Sequence, residues 1–245
     1  MSERGSRYNQ KPKQNSSKKK SQKKDSRTLT VGEISLLSEV FGSQNTDPAL
    51  GQIRDYKKVR IIRGKALPGQ PKNTTVTPDG NMYIPPEAPQ YRDDFSAPNV
   101  TGYYRAHLIH EMAHVWQYQN QGGVSYIIGS KIVGLTKTAI NQSLSNSKKS
   151  EYDYLPLKAG TKFGDLNIEQ QASLLEHFYR MLRGESLANI YKIKYGPSYK
   201  MDGNPGLDVF RSVIPKHFFP RVSSISQGSQ FAKPPKKQQQ GVKSP

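Results

Sequence analysis

Three of the chain's five histidines fall within eight residues, in the run His107-Leu108-Ile109-His110-Glu111-Met112-Ala113-His114. His110 and His114 stand four apart, so on an α-helix they lie one turn above each other on one face, a spacing that lets both imidazoles reach a single Zn²⁺ at ~2.0–2.1 Å. The pattern asks for a helix, and its neighbours supply one. Leu108, Met112 and Val115 follow the i, i+4, i+7 rhythm of a buried stripe, which predicts a long helix from about Thr101 to Asn120. Glu111, beside the first ligand, reaches the open side of such an ion. There it can serve as general base toward a water whose pKa the ion lowers to ~7, while the ion polarises the scissile carbonyl. A third ligand from the same helix would crowd a tetrahedral site, so His107 is read as packing around the ligands or supporting them. The chain has no cysteine. Thiolate ligation, a disulfide scaffold and a Cys nucleophile are therefore excluded, and any metal must be held by His, Asp or Glu.

A catalytic zinc site takes three protein ligands. The HExxHxxGxxH arrangement is excluded, because Gln117 and Asn120 stand where its Gly and third His would be. A downstream carboxylate remains, from among Glu151, Asp153, Asp165, Glu169, Glu176 and Glu185. Glu169 is favoured, since it sits in the first turn of an amphipathic helix beside the buried stripe. Glu176, seven residues on, shares nearly the same face and competes with it. If Glu169 is no ligand, it is a carboxylate at the positive end of a helix dipole and otherwise inert. For the oxyanion of a tetrahedral intermediate the region offers Tyr152, Tyr154, Tyr179 and His177. Tyr154 is preferred, because it precedes the Glu169 helix in a short segment able to fold over the site.

The rest of the chain divides by charge. Of the net charge of +18, thirteen units lie in the ends: residues 1–28 hold ten Lys and Arg against two acids, and residues 221–245 hold five against none. Both ends are rich in Ser, Gln, Lys and Pro and poor in apolar residues. They cannot bury enough surface to offset ordering entropy, so disordered tails are expected around a domain at 29–220. Lys-rich tails attract polyanions, but aromatics for base stacking and a recognition motif are missing, so nucleic acid is not expected as the main partner. No run approaches the ~18 apolar residues of a membrane helix. Nor does an apolar h-region follow the basic start, so no secretory signal is expected and the protein is placed in the cytoplasm of the producing cell.

Within the domain, Thr30 with Glu33 three residues on opens a helix through Ile34, Leu37 and Val40 that stops at Gly42. VRII (59–62) reads as a buried strand. TTVT (74–77) and NMYIP (81–85), joined around Pro78-Asp79-Gly80, read as a hairpin whose second strand, ending at Tyr83 and Ile84, is an edge that can pair with an extended peptide. The apolar run at 122–135 is broken by glycines and carries Lys131, which favours a loop or core helix over membrane insertion. Asn167, with Gln170 at N3, caps a helix whose stripe is Ile168, Ala172, Leu175, Tyr179 and Leu182. Further helices are predicted near 184–195 and 206–215.

The segments LTVGEISLLSEVFG (29–42), VRII (59–62), TVTPDGNMYIP (75–85), AHLIHEMAHVWQYQ (106–119), EYDY (151–154) and NIEQQASLLEHFY (167–179) together resemble the Rhs/Vgr-related proteins of Gram-negative bacteria, zincin-like predicted metallopeptidases associated with type VI secretion. The resemblance implies a gluzincin-type zinc site on His110, Glu111 and His114, with Glu169 added through EQQA, and delivery by type VI secretion without a signal peptide. The expected architecture is α+β and zincin-like, a small mixed sheet packed on the HExxH helix. The expected activity is hydrolysis of peptide bonds by a metal-activated water, with Zn²⁺ as cofactor and a peptide or protein, or a peptidoglycan stem peptide, as substrate. The alternative is a non-catalytic zincin-fold module that docks onto a secretion partner or nucleic acid through its tails.

Overall fold

Residues 25–43, 53, 55–121, 152–157, 160–198, 200 and 205–219 are described by the structure, a computed structural model. Capping chemistry starts the helices where the sequence places it. Thr30 Oγ1 accepts from the Glu33 backbone N at 3.0 Å and Glu33 Oε2 accepts from Thr30 N at 2.8 Å, opening α1 (Val31–Phe41). Glu33 does more than cap, for it is fully buried and bonded to the Arg27 guanidinium through both oxygens, at 2.7 and 2.8 Å. This ion pair corrects the expected boundary of the N-terminal tail: Asp25–Thr28 form strand β1, because Arg27 ties them to α1. The remainder of that tail, the run at 122–135, Glu151 and the C-terminal tail lie outside the described residues.

β1 pairs antiparallel with β2 (Arg60–Arg63), Asp25 opposite Arg63 and Thr28 opposite Arg60. β3 (Met82–Ile84) pairs with β2 in parallel, Ile61 opposite Met82, so the sheet of order β1-β2-β3 is small and mixed as expected. The hairpin expectation is corrected. Its two arms meet in one antiparallel bridge, Val76 with Tyr83, whereas the ladder of β3 runs to β2. The turn between the arms keeps its predicted chemistry: Asp79 accepts from Asn81 N at 3.1 Å and Gly80 takes φ 79°. A Cβ on Gly80 would stand 2.7 Å from the Tyr118 ring of the next helix, so only glycine lets the turn press against it.

That helix is α2 (Gly102–Asn120), buried from Ala106 to Gln117 except at His107. Burial on every side marks it as the central element of the fold. Its largest packing partner is α3 (Ile168–Leu182), capped by the Asn167–Gln170 box, whose predicted stripe is buried throughout. The shorter helices α4 (Leu187–Tyr195) and α5 (Leu207–Val213) follow, and α5 packs Phe210 against Phe178 of α3 with the rings 6.0 Å apart. One apolar cluster joins α1 (Leu37, Phe41), the sheet (Ile61, Met82, Ile84), α2 (Leu108, Met112, Val115) and α3 (Leu174, Leu175, Phe178). The architecture among the described residues is thus α+β, and no helix among them is long and apolar enough to cross a membrane.

Candidate metal centre

The crossing of α2 and α3 brings the two histidines of one helix against the first turn of the other. His110 Nε2 and His114 Nε2 lie 3.4 and 3.2 Å from the same oxygen, Oε2 of Glu169. One donor atom from each of the three residues falls within 4.8 Å of the other two. His114 and Glu169 are 2% and 5% exposed. Glu169 sits at N2 of α3, so the cap formed by Asn167 aims it as well as starting the helix.

The outer nitrogens of both imidazoles are committed elsewhere. His110 Nδ1 meets Glu176 Oε2 at 3.1 Å, and His114 Nδ1 meets Gln117 Oε1 at 2.8 Å. A carboxylate and an amide oxygen can only accept, so each Nδ1 carries a proton and donates it outward, leaving Nε2 to face the Glu169 oxygen. Two imidazole nitrogens and one carboxylate oxygen then converge on one point, an arrangement able to hold a cation. Burial alone would lower the His110 pKa, but its hydrogen bonds to Glu169 and Glu176 outweigh that and raise it, so a proton fills the role when nothing else does. Glu176 is correspondingly held down to about 2, burial being overcome by its bond to His110 and the nearby imidazoles. The donor set of two histidines and a carboxylate, each imidazole anchored on its far side, suits Zn²⁺.

Glu111 lies alongside, 4% exposed, with Oε2 accepting from Thr77 Oγ1 at 2.7 Å. Burial raises its pKa, yet three neighbouring histidines and the Thr77 bond lower it further, so the carboxylate is ionised. Thr77 comes from the segment that the Gly80 turn presses onto α2. His107 takes a supporting place, its Nε2 2.9 Å from Thr75 Oγ1 of the same segment. A cavity of about 500 Å³ opens over these groups, with His110, Glu111, Glu176 and Ser173 on its polar side and Ile190 and Ile193 of α4 on its apolar side.

The other sequence candidates are sorted by their partners. Glu176 backs His110 from its far side, Glu185 binds Arg180 at 2.6 Å, and Asp165 caps a local turn at Lys162 N. Tyr154 stands one side chain back from the cavity, its hydroxyl 2.7 Å from His177 Nδ1, whereas His177 and Tyr152 line the wall. The open strand edge expected at Tyr83 is also corrected. Tyr83 N and O both bond Val76, so Tyr83 is covered, and Thr75, the residue before Val76, lines the cavity. Sequence reasoning missed Thr77, and no spacing rule would find it, since it lies 34 residues from Glu111.

No family model matches the chain. Over 165 residues the chain is 32% identical to the type VI secretion system spike protein VgrG2b of Pseudomonas aeruginosa, a match that takes in 66% of this chain and 14% of that protein. The chain thus spans about one seventh of the length of the curated relative. The solved effector domain of Pseudomonas aeruginosa VgrG2b aligns at 29% identity over 64% of this chain and 75% of its own, with a TM-score of 0.49.

Proposed function

We propose that the chain is a zinc-dependent metallopeptidase of zincin-like, gluzincin type, serving as an effector of type VI secretion. The observation that carries the reading is the convergence of His110, His114 and Glu169 within 4.8 Å, with the ionised Glu111 next in sequence to His110 and these two lining an open cavity. Bound there, zinc would supply Lewis acidity toward a carbonyl and toward water. The chain's own residues do the rest. Glu111, oriented by Thr77, takes the proton of the attacking water and passes it to the leaving amine. The oxyanion donor falls to the cavity wall, His177 or Tyr152, with Tyr154 orienting His177 through their hydrogen bond. The 32% identity to a type VI spike protein supports the secretion link.

The test is Glu111→Gln, which keeps shape and removes the base. Hydrolysis of a responsive peptide or peptidoglycan stem peptide is expected to fall ~10²–10⁴-fold with zinc content unchanged. Undiminished hydrolysis, or undiminished toxicity to a recipient cell, would overturn the enzymatic reading in favour of a docking module.

A further inference from the structure

Gln117 entered the sequence reading only as the residue standing where the glycine of HExxHxxGxxH would be, and Gln171 only as part of EQQA. Both are buried amides, 0% and 2% exposed. A primary amide in that setting must place two N–H donors and an oxygen, at a cost of about 1–3 kcal/mol for each buried group left unsatisfied. Their bonds form one chain whose direction is fixed from its far end. Gln171 Nε2 donates to two backbone carbonyls, Phe163 O at 3.2 Å and Leu166 O at 2.9 Å. Turning that amide over would set its oxygen against both carbonyls, so Gln171 Oε1 must face Gln117, where it accepts from Nε2 at 3.0 Å. Gln117 Nε2 spends its other proton on Ile168 O at 2.9 Å. Gln117 Oε1 is thereby turned toward His114 Nδ1, and an amide oxygen there admits only a protonated nitrogen.

We infer that Gln117 and Gln171 act as a two-amide positioning relay, anchored on the backbone carbonyls of residues 163–168, that locks His114 in its Nδ1–H tautomer and presents Nε2 to a metal. The inference rests on the metal-site part of the proposed function and on no part of its peptidase chemistry. The same relay pins Ile168, the residue before Glu169, so two of the three ligands are set by one run of hydrogen bonds. Gln171 touches no ligand side chain in this chain of bonds, and its influence on His114 must pass through Gln117. That gives the relay a signature which simple packing lacks.

The experiment reads the His114 tautomer by long-range ¹H–¹⁵N NMR in metal-free protein, and Zn²⁺ affinity by competition with a chromophoric chelator, for the full chain and for Gln117→Leu, Gln171→Leu and the double variant. Expected are an Nδ1–H signature for His114 in wild type, its loss in both single variants, and a 10–100-fold drop in zinc affinity for each. The double variant should be no worse than Gln117→Leu alone, because the two residues act in series. The wild-type tautomer, read with no substitution, keeps the test decisive if the leucine variants fail to fold. An Nε2–H signature in wild type, or Gln171→Leu with unchanged tautomer and affinity, would overturn the relay. A wild type that binds no zinc yet shows the Nδ1–H signature would sink the metal site and leave the relay standing.

Discussion

Glu33 and Glu169 are both buried carboxylates near the start of a helix, and they differ in where their counter-charge comes from. Glu33 receives four donors from the chain itself: two from Arg27 and the backbone N–H groups of Thr30 and Phe95, all at 2.7 or 2.8 Å. Glu169 instead meets Nε2 of His110 and of His114, each already donating from its other nitrogen. One carboxylate is closed by an internal cation and holds β1 to α1. The other belongs to a cluster of two imidazoles and a carboxylate able to hold a metal ion. A buried carboxylate whose near neighbours are imidazoles anchored on their far sides is the one to test as a metal ligand.

The sharpest way to break this comparison is Arg27→Ala, which leaves Glu33 buried without its cation. Loss of one member of a buried pair costs ~3–5 kcal/mol, and urea denaturation should show that loss equally with and without zinc. Glu169→Ala should behave in the opposite manner. Wild type at a hundredfold excess of zinc over its Kd gains ~2.7 kcal/mol, and the variant should lose that increment, with metal content falling from about one zinc per chain. Glu176→Gln, which still offers His110 an acceptor, should keep most of it. An Arg27→Ala effect that depends on zinc, or a Glu169→Ala protein that retains its zinc, would erase the distinction.

Local signals in the sequence were sufficient where the physics is local. Thr30 and Asn167 cap their helices within a residue of expectation, and HExxH places His110, Glu111 and His114 through helix geometry alone. Glu169 was favoured over Glu176 because of its turn on α3, and the structure separates them by position, one facing Nε2 of His110 and the other its Nδ1. What stayed hidden depends on partners distant in sequence. The Arg27–Glu33 pair turned part of an expected tail into a strand, and β3 took β2 as its parallel neighbour, keeping one bridge to the nearby arm of the hairpin. Tyr154 was chosen for its place along the chain, but which side chain faces the cavity is set by the packing of α3, and there His177 intervenes.

The cap of α3 joins the two regimes, and Asn167→Ala should separate them at smaller amplitude. Loss of the bond from Asn167 to Gln170 N at 2.8 Å should cost ~1 kcal/mol of fold stability. Because Glu169 lies two residues inside that cap, the zinc increment should shrink as well, in a differential scan with and without metal. A change in stability with an unchanged zinc increment would mean that Glu169 is aimed by the body of α3 rather than by its first turn.

The smallest effect belongs to His217, a half-buried titratable group with no counter-charge on its Nε2 among the described residues. Its ring stacks on Trp116 at 6.1 Å, and its Nε2 has no hydrogen-bond partner among the described residues. Burial lowers its pKa below the ordinary 6.5. The unfolded chain therefore takes up the proton first as pH falls, so the stability contributed by neutral His217 is present above pH 6.5 and is lost below it. His217→Phe removes that proton uptake while keeping a ring against Trp116. Denaturation midpoints at pH 7.5 and pH 5.5 should converge in the variant relative to wild type, and an equal pH response in both proteins would assign the acid sensitivity to the metal cluster instead.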